Sequence, residues 1–181
     1  MSEYLGDCLL RQLDIAWKLA SYHLDGLTTE DCLWRPAERG PHVRSEEGRW
    51  TLDWPPDEDY RAGPPNIAWI GWHMLFWWSM ALDWNFGSAT LQREEVAWPG
   101  EADRLRRELE TLYDKWRGEL EARDDAALQS AERVRWPFAE RPLADLFAWA
   151  NIELTKNAAE IGYVRFLKGA ADAQTSSTKR P

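Results

Sequence analysis

Residues Pro142 to Lys168 constrain this chain more than any other stretch, because they combine a helical apolar stripe with polar groups on its buried side. At about 100° per residue, Leu143, Leu146, Ala150, Leu154, Ile161 and Val164 share one face, the stripe a helix turns toward a core. Asn157 falls in the middle of that stripe. By the same arithmetic Glu153 and Glu160 lie roughly 40–60° to one side of it. A carboxylate facing a dry interior without a partner is costly or takes up a proton. The helix therefore needs a metal, a cation, a histidine or a wet pocket opposite it, and the rest of the chain must supply one.

A chain of 181 residues is most simply one domain, long enough to bury about 70% of the surface its unfolded form exposes. The net charge of −9 opposes phosphate backbones and anionic lipid, so neither nucleic acid nor membrane is an expected partner. Met1 to Leu10 has no basic start followed by an apolar run, so it does not read as a secretory signal. Ile67 to Leu82 is too short for a span and contains His73. The expected location is cytoplasmic, with Cys8 and Cys32 as free thiols.

Periodicity predicts four long helices. The first covers Tyr4 to Asp25, with Leu5, Leu9, Ala16, Ala20 and His23 on one face and Gly26 as its stop. His23 then either reaches a pocket or closes the last turn. Thr28 to Leu33 reads as a single capped turn ended by Pro36. From Ala37 to Pro65 the helical pattern is lost among Gly, Pro and charges, although alternation from Arg49 to Trp54 places Trp50, Leu52 and Trp54 on one side of an extended piece. A connection this long reads as a flap over the bundle end, with His42 an exposed loop residue.

The second long helix runs from Asn66, its N-cap, to Phe86. Ile70, His73, Trp77, Met80 and Trp84 form one stripe, so His73 points inward, either as a ligand or as a core histidine bonded to one acceptor. A third, amphipathic helix spans Glu101 to Arg123 and carries no chemistry. Trp136, Pro137 and Phe138 cross back to the last helix, and Gly169 to Pro181 reads as a disordered tail behind a single domain at 1–168. This is an all-α, four-helix-bundle pattern, with sites expected between facing helices. Thirteen tryptophans offer enough indole to wall a pocket, including Trp50, Trp54 and Trp77, as well as to fill the core.

Three stretches resemble one known family: Leu27 to Pro36, Asn66 to Asp83 and Asn151 to Leu167. They resemble the DinB-like superfamily, four-helix bundles that include bacillithiol- and mycothiol-dependent S-transferases and mycothiol-dependent maleylpyruvate isomerase. In members with a site, the resemblance implies one His on the second long helix and two on the last, holding a divalent metal that activates a thiol or water. His73 matches the first position. Asn157 and Glu160 stand where the pair aligns, with Glu153 one turn earlier, so the three-histidine set is absent.

Two functions follow from the resemblance. One is a metal-dependent thiol S-transferase or isomerase-like enzyme acting on a small apolar electrophile. It would use Zn, Ni, Mn or Fe and a low-molecular-weight thiol, with His73, Asn157, Glu153 and Glu160 as ligands and the two glutamates as acid or base. The other is a metal-free small-molecule binder in which Glu153 or Glu160 pairs with His73 or Arg165 and Lys156 neutralises another carboxylate. The resemblance also implies a homodimer.

Overall fold

The computed structural model describes residues 4–55 and 60–178. Four long helices carry the architecture: α1 (Tyr4–Leu24), α3 (Ile67–Phe86), α4 (Ala102–Glu121) and α6 (Leu143–Thr178). Two short helices, α2 (Thr29–Leu33) and α5 (Asp125–Gln129), and a hairpin of β1 (Val43–Glu46) and β2 (Arg49–Leu52) fill the connections. Both α1 and α3 pack against α4 and α6, so α1 and α3 occupy opposite corners of the bundle.

Side-chain contacts give the helix directions. Asn151 donates to the Leu9 carbonyl and Arg165 to the His23 carbonyl, so α1 and α6 run parallel. Arg106 pairs with Asp25, and Tyr113 and Arg117 reach Asp14, so α4 runs against α1. Trp78 donates to the Ala150 carbonyl while His73 lies near Asn157, so α3 runs against α6. The order is therefore up-down-down-up, and residues 87–101 must travel back along α3 to begin α4 beside it. Indole N–H groups hold that return: Trp84 donates to Leu91 and Trp72 to Val96.

The core is built from α3 inward. Trp72, Trp78, Trp116 and Phe147 are fully buried together with Leu13, Ile70, Leu105 and Leu109. Several of the indoles thus fill volume. The amphipathic pattern of α4 is realised, with Leu105, Leu109, Leu112, Trp116 and Leu120 inward.

The long first connection is more ordered than its composition suggests. β1 and β2 pair antiparallel from Val43↔Leu52 to Glu46↔Arg49. Glu47 and Gly48 both take positive φ (51° and 78°), the backbone that a two-residue hairpin turn requires and that glycine supplies freely. Trp50 rests edge-on against Trp98, and Trp54 against Trp72 and Phe76, so the hairpin is seated on the bundle. The exposed-loop reading of His42 is corrected: only 4% of it is exposed. Its backbone N–H is held by the Asp53 carboxylate, which draws the strand ends together and carries the ring inward.

The last helix also runs past the expected end at Lys168. The stretch after Gly169 is rich in alanine, Lys168 pairs with Asp172 one turn on, and Thr175 and Ser176 bond back to the Ala171 and Asp172 carbonyls. The final part of the expected tail, residues 179–181, lies outside the described residues. Among the described residues no helix is long and apolar enough to cross a membrane.

Asn66 joins the hairpin to the bundle. It is wholly buried, caps α3 by accepting from Trp69 N–H, accepts from Val43 N–H, and donates to the Val43 carbonyl. Asn66→Ala strands those buried groups, so it is expected to lower stability by about 2–4 kcal/mol, read as a reduced urea midpoint at unchanged slope.

Candidate functional site

On α3, Trp69, His73 and Trp77 follow one another at intervals of one turn, and the helix stacks their rings. His73 lies against Trp69 with ring centres 5.0 Å apart and planes at 22°, and meets Trp77 edge-on at 5.9 Å. Trp77 in turn stacks on Trp136 at 5.2 Å and meets Trp149 edge-on at 5.4 Å. Phe138 closes on Trp149. These rings are only partly buried, unlike the core indoles, and together they form a wall around one imidazole.

The polar groups come from α6. Asn157 is 1% exposed and lies close enough to His73 to favour its proton, yet neither Nδ1 of His73 nor Oδ1 of Asn157 completes a hydrogen bond. Glu153 stands one turn earlier. Lys156 Nζ comes within 3.1 Å of its Oε2, but off the line a hydrogen bond needs, so that buried oxygen also remains unbonded. Three of the six buried side-chain atoms without a hydrogen bond among the described residues thus belong to His73, Asn157 and Glu153, the last of them ion-paired to Lys156. A buried polar atom with neither a hydrogen bond nor an ion pair costs about 1–3 kcal/mol.

The indole of Trp77 donates to Nε2 of His73 at 2.7 Å. An indole N–H can only donate, so Nε2 holds the lone pair and the neutral ring carries its proton on Nδ1. Burial pulls the His73 pKa down to about 4, and the positive charge of Lys156 pushes the same way, while Asn157 opposes them. His73 is therefore a neutral Nδ1–H donor at neutral pH.

The expected site residues are only partly assembled. His73, Trp77 and Asn157 come together, with Glu153 one turn earlier on α6 and paired with Lys156. Glu160 is half-buried one turn beyond Asn157 and has a partner of its own. Trp54 reaches the cluster indirectly, through Phe76 to Trp77 and through Trp72 to Trp69. Trp50 sits away from it, on Trp98. His23 lines a separate groove between α1 and α6 with Tyr22, Arg165 and Phe166. Cys32 is buried with its thiol pushed up to about 12, which makes it a poor nucleophile. Trp69 stands one turn before His73 and Trp149 one turn before Glu153, so both had a local signal, whereas Trp136 had none.

A sequence profile described as the DinB superfamily matches residues 12–161. The chain belongs to the DinB superfamily. No curated protein and no solved structure matches it. That superfamily includes metal-dependent enzymes, so the ligand set of this DinB chain must be weighed against a divalent ion. The fit is poor. The Nε2 lone pair of His73 is already used by Trp77, its Nδ1 carries a proton, and the Lys156 cation stands beside the ring. Among the described residues no three His, Cys, Asp or Glu side chains gather as a metal cluster. The set of His73, Asn157, Glu153 and Glu160 does not, as arranged, fit a divalent-metal site.

The titration of His73 has a consequence for stability. Its folded pKa of about 4 lies below the ordinary 6.5, so only the unfolded chain gains this proton as pH falls between them. The associated loss on going from pH 7 to pH 4 is about 3 kcal/mol. His23 and His42 are shifted in the same direction by burial, so the comparison must be internal. In urea unfolding across this window, His73→Gln is expected to lose markedly less stability than the parent.

Proposed function

We propose that this DinB protein binds a small molecule without a metal ion, at the indole-walled cluster around His73. The observation that carries the reading is the pairing of two buried polar atoms without a hydrogen bond, His73 Nδ1 and Asn157 Oδ1, beside the rings of Trp69 and Trp77. A pocket with an apolar body and a few convergent polar groups is the usual form of a small-molecule site. The donor is His73 Nδ1–H, and the acceptor is Asn157 Oδ1. A flat molecule whose edge both donates and accepts matches them, and its face would lie against Trp69 or Trp77. Lys156, nearly half exposed, is the side chain such a molecule would displace. Thiol transfer on an apolar electrophile, the other expectation, is supported by superfamily membership alone.

Two measurements test this. Elemental analysis of untagged protein, followed by zinc, nickel and manganese titrations, is expected to give far less than one metal per chain and no difference between the parent and His73→Ala. Stoichiometric metal lost in His73→Ala would establish the metalloenzyme instead. Asn157→Leu, nearly isosteric, removes an unbonded polar atom from the core. It is expected to leave stability unchanged or raise it by about 1–2 kcal/mol, while abolishing binding of aromatic heterocycle fragments found by ligand-observed NMR. A destabilised Asn157→Leu protein would make Asn157 a structural residue.

A further inference from the structure

A cavity of about 610 Å³ lies between the end of α2 and the hairpin, and none of the His73 cluster lines it. Its apolar side is made by Leu33, Val43 and Trp50. Its polar side carries Arg35, Arg39 and Arg44, against Glu38 and Asp53. The pairing among these groups is unequal. Arg44 is held by Asp53 at 2.7 Å and by Glu46 at 2.6 Å, and Asp53 also accepts from the His42 backbone N–H. With two carboxylates to one guanidinium, that group leaves Arg44 no charge to spare and keeps one negative charge of its own. Arg35 spends one N–H on the Glu38 carbonyl and has no carboxylate partner, and Arg39 has none either among the described residues.

Two guanidinium groups with no carboxylate partner among the described residues therefore face one cavity in a chain of net charge −9. The backbone beneath them is held in place. Gly63, at φ 92°, passes so close to Arg39 that a Cβ there would collide with the Arg39 carbonyl oxygen, and Gly40 crosses Pro64 in the same way. His42 forms part of the wall, almost fully buried and with Nε2 unbonded.

We propose that this cavity binds a small organic anion, a carboxylate or a phosphate. Its head would be taken by Arg35 and Arg39 and its apolar body by Leu33, Val43 and Trp50. Planar guanidinium groups match the oxygens of either anion with paired N–H donors, and an apolar lining adds what a bare ion would lack. Glu38, which has no ion-pair partner among the described residues, is the opposing charge. It disfavours anions with more charge than the two arginines balance.

The test is an NMR titration of the full chain with benzoate, phenyl phosphate, inorganic phosphate and neutral benzyl alcohol. It follows the indole N–H of Trp50, assigned by its loss in Trp50→Phe. Benzoate or phenyl phosphate is expected to move that signal at concentrations where benzyl alcohol does not. Arg35→Gln and Arg39→Gln, both exposed and expected to fold, should each weaken binding roughly tenfold. Glu38→Gln should tighten it severalfold. Which of benzoate and phenyl phosphate binds more tightly identifies the head group, while inorganic phosphate alone binding as well as either would remove the apolar subsite and overturn the proposal. Equal binding of benzyl alcohol, unchanged affinity in the Arg35→Gln Arg39→Gln double variant, or a response at the Trp77 indole in place of Trp50 would also overturn it. The last outcome would assign the anion to the His73 cluster and leave the function proposed for that cluster standing.

Discussion

A neutral imidazole must donate from one nitrogen and accept at the other, and in this protein a neighbour on the same helix settles which is which. Trp77, one turn beyond His73, can only donate, and it does so to Nε2. The proton is thereby placed on Nδ1, toward Asn157 on α6. Burial and the nearby Lys156 keep a second proton off the ring. One indole hydrogen bond thus turns a residue that resembles a metal ligand into a donor without a lone pair to offer, and the chemistry available at the cluster follows from that.

The aromatic residues divide by burial into two tasks. Trp72, Trp78, Trp98 and Trp116 are sealed inside and hold the helices together by volume. Trp69 and Trp77 are half open and flank His73, whose Nδ1 the fold has left unbonded, and the half-open Trp136 and Trp149 pack on Trp77 behind them. Leaving that atom and Asn157 Oδ1 without bonds costs stability, and fully satisfied cores avoid such costs. A site that exchanges them for bonds to a bound molecule gives the expense a use.

Much of the architecture was legible because its signals are local. The stripes of α1, α4 and α6, the Asn66 cap and the superfamily resemblance all lie within continuous segments, and the profile match over residues 12–161 agrees with them, whereas α3 is buried on most sides and His73, Trp77 and Trp84 of its expected stripe are only half-buried. Glu153 and Asn157 were visible as polar residues on an apolar helix, and His73 as their counterpart on α3. The tautomer of His73 was not, because it depends on the direction of one N–H bond. Trp136 reaches the cluster from a segment with no periodicity, and burial of His42 depends on the Asp53 contact that closes the hairpin. β1 was missed because Val43 is the single buried residue in a strand otherwise made of exposed polar residues. Small and polar residues similarly concealed the persistence of α6 beyond Gly169.

The central claim is that His73 is a neutral Nδ1–H donor fixed by Trp77, and ¹⁵N NMR of its imidazole across pH tests it most directly. The account predicts a protonated Nδ1 and an unprotonated, hydrogen-bonded Nε2 at neutral pH, a transition near pH 4, and no change when zinc is added. A proton on Nε2, a transition at the ordinary histidine pH, or a zinc-induced shift of either nitrogen would contradict it.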